Sequence, residues 1–229
     1  MDVMKHYKPK FDVIYELLGI DNPVILEIGA HYGEDTLRFL ETFKEAKMYC
    51  FEPDPRNSKV FRKYVKDERV SFFQLALSNE SGEAEFYPTY ESNHSMMIPS
   101  KYNWMDKEDY LQNKLNSSGG SSLKKGGNHA LHFSIKVKTE RFDKWYKEND
   151  LNGIDFAWID VQGAERDVFD GMGDEIKNIK YIWVEYGEVT YEDAMDRDQT
   201  IKYLTSKGFV LNEPYSDTGP QGDLLFQRV

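Results

Sequence analysis

The chain has one cysteine, Cys50, in 229 residues, so no intrachain disulfide can form. A reducing, cytoplasmic setting is the matching expectation. No apolar run approaches the ~18 residues of a membrane-spanning helix, and no charged-then-apolar leader opens the sequence, so no membrane partner is expected. Positive charge is scarce too: 29 Lys and Arg face 40 Asp and Glu, a net charge of −11. Nucleic acid demands clustered Lys and Arg, so that partner is not expected either. A dinucleotide fingerprint G-x-G-x-x-G counted from Gly29 would need glycine where His31 and Glu34 stand, and the Gly-Lys-Ser/Thr of a P-loop is missing. What is present, 40% hydrophobic and 14% aromatic residues, suits a folded α/β domain spanning 1–229.

The stretch from Val24 to Asp54 organises the rest. An apolar run, Val24 to Ile28, breaks into the turn Gly29-Ala30-His31-Tyr32-Gly33. Leu37, Leu40 and Phe43 follow at helical spacing, and a second short strand, Met48 to Phe51, ends on Glu52-Pro53-Asp54. Strand, glycine turn, helix, strand and acidic residue form the first half of a nucleotide-binding unit. The glycines permit a sharp turn and close approach to a ligand, and the helix start offers free N–H groups. Glu52, 23 residues after Gly29, is placed to accept hydrogen bonds from ribose hydroxyls.

Around this unit the chain reads as a Rossmann-like α/β fold, a mostly parallel seven-stranded sheet closed by a C-terminal antiparallel hairpin. An amphipathic helix over 5–19 makes residues 1–22 a cap. Pro55 to Lys66 is a helix and Val70 to Leu77 a third strand. Glu83 to Tyr90 and Leu131 to Lys138 alternate as strands, so 83–138 is an inserted hairpin carrying a flexible lid loop, with a short helix over Trp104 to Leu115. Then come a helix over Thr139 to Glu148, the strand Ile154 to Val161, a helix to Met172 and the strand Tyr181 to Tyr186. A helix over Gln199 to Ser206 and closing strands Phe209 to Leu211 and Leu224 to Arg228 finish the fold.

Glu27, Gly29, Glu52, Ala76, Asp160 and Glu185 fall at or just past strand ends, on the rim where open α/β sheets bind ligands. A buried carboxylate there needs a partner, although Asp160 also reads as a helix N-cap. Residues 101–147 hold ten Lys and Arg against five Asp and Glu. That excess is either a solvated face or a local attraction for a small anionic acceptor, such as a nucleotide-linked or phosphorylated sugar, through Lys124, Lys125 and Lys136. Cys50, in a central strand, reads as core. Trp104, Tyr102 and Tyr110 suit either sugar stacking or a packed helix.

Ile154-Asp-Phe-Ala-Trp-Ile-Asp160-Val-Gln-Gly163-Ala-Glu165, with Val168 and Gly171, resembles the I-D-x-x-K-I-D-x-E-G-x-E-x-x-V-L-x-G signature of FkbM-type S-adenosylmethionine (SAM) methyltransferases, a class I family. Val137 to Asp143, Glu27-Ile-Gly29-Ala-His-Tyr-Gly33, Phe51-Glu52-Pro53 and Ala76-Leu-Ser78 with Gly82 resemble its other segments, in order. Glu27 replaces Asp, His31 replaces Asn, Trp158 replaces Lys and Gln162 replaces Glu; the last two remove a charge each. The resemblance implies O-methyl transfer from SAM to a hydroxyl of a sugar, glycan or other small natural product. Gly29, Ala30, His31, Gly33 and Thr36 would line the methionine part, with Glu27 orienting its amino group. Glu52 and Pro53 would flank the ribose, and Leu75, Ala76 and Leu77 the adenine.

Asp160 and Glu185 would meet at the transfer centre. They would hold a divalent cation, magnesium or manganese, or share a proton so that one acts as base. His94 and His31 are further candidates for base, set against a solvated loop histidine and a cofactor contact. Competing readings are a SAM-binding partner subunit without turnover and a nucleic-acid methyltransferase. The [D/N]-P-P-[Y/F] of amino-methylating enzymes is absent, with Asp160-Val-Gln-Gly163 in its place.

Overall fold

A computed structural model describes residues 10–89, 104–114, 119–126, 133–187 and 191–229. His94, Tyr102, His129 and His132 lie outside the described residues. The strands are β1 (Val24–Ile28), β2 (Lys47–Phe51), β3 (Val70–Phe73), β4 (Ala76–Leu77), β5 (Gly82–Phe86), β6 (Ile135–Glu140), β7 (Ile154–Ile159), β8 (Ile179–Tyr186), β9 (Phe209–Leu211) and β10 (Gly222–Arg228). The helices are α1 (Lys10–Leu18), α2 (Glu34–Thr42), α3 (Pro55–Tyr64), α4 (Lys107–Lys114), α5 (Phe142–Glu148), α6 (Glu165–Met172) and α7 (Arg197–Ser206). No helix among the described residues is long and apolar enough to cross a membrane.

The main sheet has seven strands in the order β3-β2-β1-β7-β8-β10-β9. β1 pairs in parallel with β2 and with β7, while β10 runs antiparallel to β8 and β9. The chain moves outward from β1 to β3, then returns to lay β7 on the other side of β1. The crevice above the carboxyl ends of β1 and β7 is therefore the topological switch point, where such sheets take ligands.

Strand alternation divides the core between the two faces. Ile25, Met48, Cys50, Phe156, Trp158, Trp183 and Leu225 pack under α1, α2 and α3 with Ile14, Phe39 and Phe61. Leu26, Ile28, Phe51, Ala157, Ile159 and Val184 face Phe142, Trp145, Phe169 and Leu204 of α5, α6 and α7. Each fully buried Phe, such as Phe39 or Phe169, contributes on the order of 1.5–3 kcal/mol. Cys50 belongs to this core.

Three sequence expectations shift. Val70 to Leu77 is two strands: β3 ends at Phe73, and β4 leaves the main sheet to pair in parallel with β6 in a three-stranded sheet. Ala76 and Leu77 thus lie beside β6, and Leu77 is buried against the α5–α6 core. The helix expected from Thr139 begins at Phe142, because Ile135, Val137 and Thr139 continue a β alternation against β5. The strand expected from Leu131 is described only from Ile135. In the insertion, α4 forms, and Tyr110 and Met105 pack against Tyr32 and Val60, with Trp104 edge-on to Tyr64. Trp104 and Tyr110 are packed helix residues.

Candidate active site

The β1–α2 turn is held by backbone geometry. The N–H groups of Gly29 and Ala30 both donate to the Phe51 carbonyl, at 3.0 and 2.9 Å. Gly29 and Gly33 have φ of 91° and 93°, a region glycine occupies without cost. Space adds a second requirement, and protein fills it. A Cβ on Gly29 would overlap the Asp160 carbonyl, and one on Gly33 would lie 2.5 Å from Val65 Cγ2. The Asp160 N–H in turn donates to the Ile28 carbonyl at 3.0 Å, so the glycine turn and the end of β7 are clamped together.

Carboxylates crowd this edge. Glu27 is buried at the end of β1 and accepts from the Thr36 hydroxyl at 2.5 Å and the Cys50 thiol at 3.3 Å. Burial pushes its carboxyl up to about 8, against the opposing bond from Thr36. Glu52 accepts from the His31 N–H at 3.0 Å and the Asp54 N–H at 2.7 Å, and burial raises it to about 7. Burial also raises Asp35 to about 6 and Glu165 to about 7; Glu165 accepts from the Gly163 N–H at 3.0 Å.

These raised carboxyls give the protein a pH signature. The unfolded chain releases the Glu27 proton near 4.5, while the folded protein keeps it to about 8. Stability therefore falls as pH rises through that window, by up to about 1.4 kcal/mol per pH unit for one group. The melting temperature of the ligand-free protein is expected to drop between about pH 5.5 and about pH 8.5, and Glu27→Gln to flatten the slope above about pH 7. Melting curves across that range check it; an unchanged slope in Glu27→Gln would remove Glu27 as the proton holder.

Asp160 and Glu185 meet beside the switch point. Both are bonded by one neighbouring side chain, and burial and the Glu185 charge push Asp160 well above the usual carboxylate range. The Gln162 amide nitrogen donates to Asp160 Oδ1 at 2.6 Å and to Glu185 Oε2 at 2.5 Å. Glu27, Glu52 and Glu165 are buried, whereas Asp160 and Glu185 keep partial solvent contact. Asp35 of α2 is likewise part-exposed. Among the described residues, no cluster of three or more His, Cys, Asp or Glu is arranged to hold a metal ion.

A methyltransferase FkbM domain model matches residues 27–211. The chain belongs to the FkbM methyltransferase family. It is 31% identical over 225 residues to the 2-O-methyltransferase NoeI of Sinorhizobium fredii, covering 94% of this chain and 84% of that protein. It is 25% identical to the methyltransferase sdnD of Sordaria araneosa, covering 93% and 85%. An rRNA methylase from Streptococcus thermophilus superposes with a TM-score of 0.51 at 10% identity, covering 98% of both chains; that likeness concerns the fold.

In this FkbM methyltransferase the expected residues divide by place. Glu27, Gly29, Ala30, His31, Gly33, Thr36, Glu52 and Pro53 gather around the β1–α2 turn and the end of β2, and Asp160 with Glu185 forms the neighbouring pair. Leu75, Ala76 and Leu77 lie beyond β3 and in β4. Asp160 accepts no N-cap bond from α6, whose N-cap position is Ala164. The lysine that the family signature places at 158 is a tryptophan here, yet a cation returns from another element. Lys10 of α1 sits 5.6 Å from the Trp158 ring centre and 5.7 Å from Trp183, and pairs with Asp223. Lys124 pairs with Asp167 at 2.8 Å, so that charge is met within the protein, and Lys136 stands opposite Glu85 in the β5–β6 register.

Tyr191 was not legible as a site residue. Its ring packs where a Cβ on Gly163 would lie, 2.6 Å from Tyr191 Cβ, and its hydroxyl lies 2.8 Å from the Gly120 carbonyl and 3.3 Å from Gln162 Oε1. Burial and the nearby carboxylates push the phenol up to about 12. Insertion residues 119–126 are fastened to the same loop. Ser122 donates to the Val161 carbonyl at 3.4 Å, and Glu192 N–H to the Lys125 carbonyl at 2.8 Å. This segment holds Tyr191 and the residue after Asp160. No sequence motif announces Tyr191, since its partners lie 28 or more residues away.

Proposed function

We propose that this methyltransferase uses SAM to methylate a hydroxyl of a sugar, glycan or other small natural product. The observation that carries the reading is the Asp160–Glu185 pair, partly exposed at the switch point beside the glycine turn. The residues fit the cofactor. SAM carries a sulfonium and an ammonium, and this edge gathers carboxyls, Glu27, Asp35 and Asp160, whose raised proton affinity falls when such cations arrive. Glu52, fixed by two backbone N–H groups, keeps lone pairs for ribose hydroxyls. When bound, SAM supplies an electrophilic methyl group. The chain's own task is to align the hydroxyl and take its proton, which the ionised member of the pair is poised to accept. The 2-O-methyltransferase name of the 31% identical relative supports oxygen as the acceptor atom.

Calorimetric titration of SAM into wild type and Asp160→Asn, followed by a panel of saccharide and small hydroxylated acceptors, tests this. Micromolar SAM binding by both proteins is expected, with product formed only by wild type. Absence of SAM binding by wild type would sink the reading. Binding without product across the panel would favour a SAM-binding partner subunit. Adding magnesium or manganese to the titration decides whether a cation takes part.

A further inference from the structure

We propose that Gln162 is a positioning residue whose side-chain amide takes the bridging place between Asp160 and Glu185 that a divalent cation would otherwise fill. The inference rests on the reading of that pair as the proton acceptor. The amide nitrogen has two N–H bonds, and each is directed at one carboxyl, at 2.6 and 2.5 Å. The opposite orientation would set the amide oxygen against carboxylate oxygens, and the Tyr191 hydroxyl at 3.3 Å from Oε1 supports the first. The backbone is shaped for it. Gln162 has φ 52°, rare for a residue with a side chain, and Gly163 follows at φ 93° with Tyr191 packed on it.

The chemistry explains the residue type. The related signature has Glu at this place, and a third carboxylate beside two others would need a cation to hold it. Gln has nearly the same shape but reverses the interaction: it donates where Glu would repel. It bonds both carboxyls at once and adds no charge. The proton leaving the acceptor hydroxyl then passes to a carboxylate oxygen, with the methyl taking its place on the hydroxyl oxygen.

Two measurements test this without an acceptor. In manganese titrations followed by electron paramagnetic resonance, wild type and Asp160→Asn are expected to behave alike. Gln162→Glu is expected to gain one site with a dissociation constant on the order of 10⁻⁴ M, lost again when Asp160→Asn is added. A wild-type manganese site that depends on Asp160 would overturn the proposal, as would a Gln162→Glu protein that binds SAM normally but gains no such site. Should Gln162→Glu fail to fold, side-chain amide NMR of wild type decides. Both Gln162 N–H protons are expected to be protected from exchange, and to lose protection in Asp160→Asn; an unprotected amide would overturn it. Loss of SAM binding would sink the methyl-transfer reading, whereas these outcomes concern the bridge alone.

Discussion

Asp160→Asn is expected to lower the methyl-transfer rate about 10²–10⁴-fold, the usual worth of a general base. Asparagine keeps the size of the side chain and its bond-accepting oxygen, but it cannot take up a proton at neutral pH. The backbone of residue 160 continues to clamp the glycine turn through its N–H to Ile28 and its carbonyl against Gly29. SAM affinity is therefore expected to change less than about 5-fold, about 1 kcal/mol. Glu185→Gln should show the same separation of rate from affinity, because Gln162 bonds both carboxyls. Single-turnover release of S-adenosylhomocysteine with a productive acceptor reads the rate, and calorimetry the affinity. An Asp160→Asn enzyme as fast as wild type would move the proton acceptor elsewhere.

Gly29→Ala should be the most damaging single methyl addition at the crevice. Two costs combine: φ 91° strains any residue with a Cβ, and that Cβ would overlap a backbone carbonyl that cannot swing aside. More than about 3 kcal/mol is expected, a melting-temperature loss of roughly 6–12 °C for a chain of this size. Gly19→Ala isolates the first cost. Gly19 has φ 60° but open space around its Cβ position, so about 1 kcal/mol is expected there. Equal losses in the two variants would show that the clamp between β1 and β7 carries no weight.

Several positions in the family signature find their explanation in packing. Gly29 meets the backbone of Asp160, and a Cβ on Gly171 in α6 would overlap the Ser78 carbonyl at the end of β4. Arg141 reaches back to the Asn79 carbonyl at 2.7 Å and pairs with Asp143 at 2.6 Å. Motif residues far apart in the chain thus contact one another. They assemble the rim where a smaller set, Glu52, Asp160, Gln162 and Glu185, gathers its polar atoms.

The sequence by itself determined the central β1–α2–β2 unit, the helices and strands around it, and the carboxylates at strand ends. Those signals are local: an apolar run, a glycine turn and a 3.6-residue period each act within a few residues. Tertiary structure alone decided that the third strand breaks after Phe73, because β4 pairs with β6 about sixty residues later. It alone joined Asp160 to Glu185 through Gln162, whose loss of an acid in the sequence becomes the gain of a donor in the fold. Burial and contact across long separations set the Asp160 proton affinity and brought the Tyr191 hydroxyl to Gln162 and Gly120. Such terms depend on which distant atoms exclude water from a group, and no spacing within one segment encodes that.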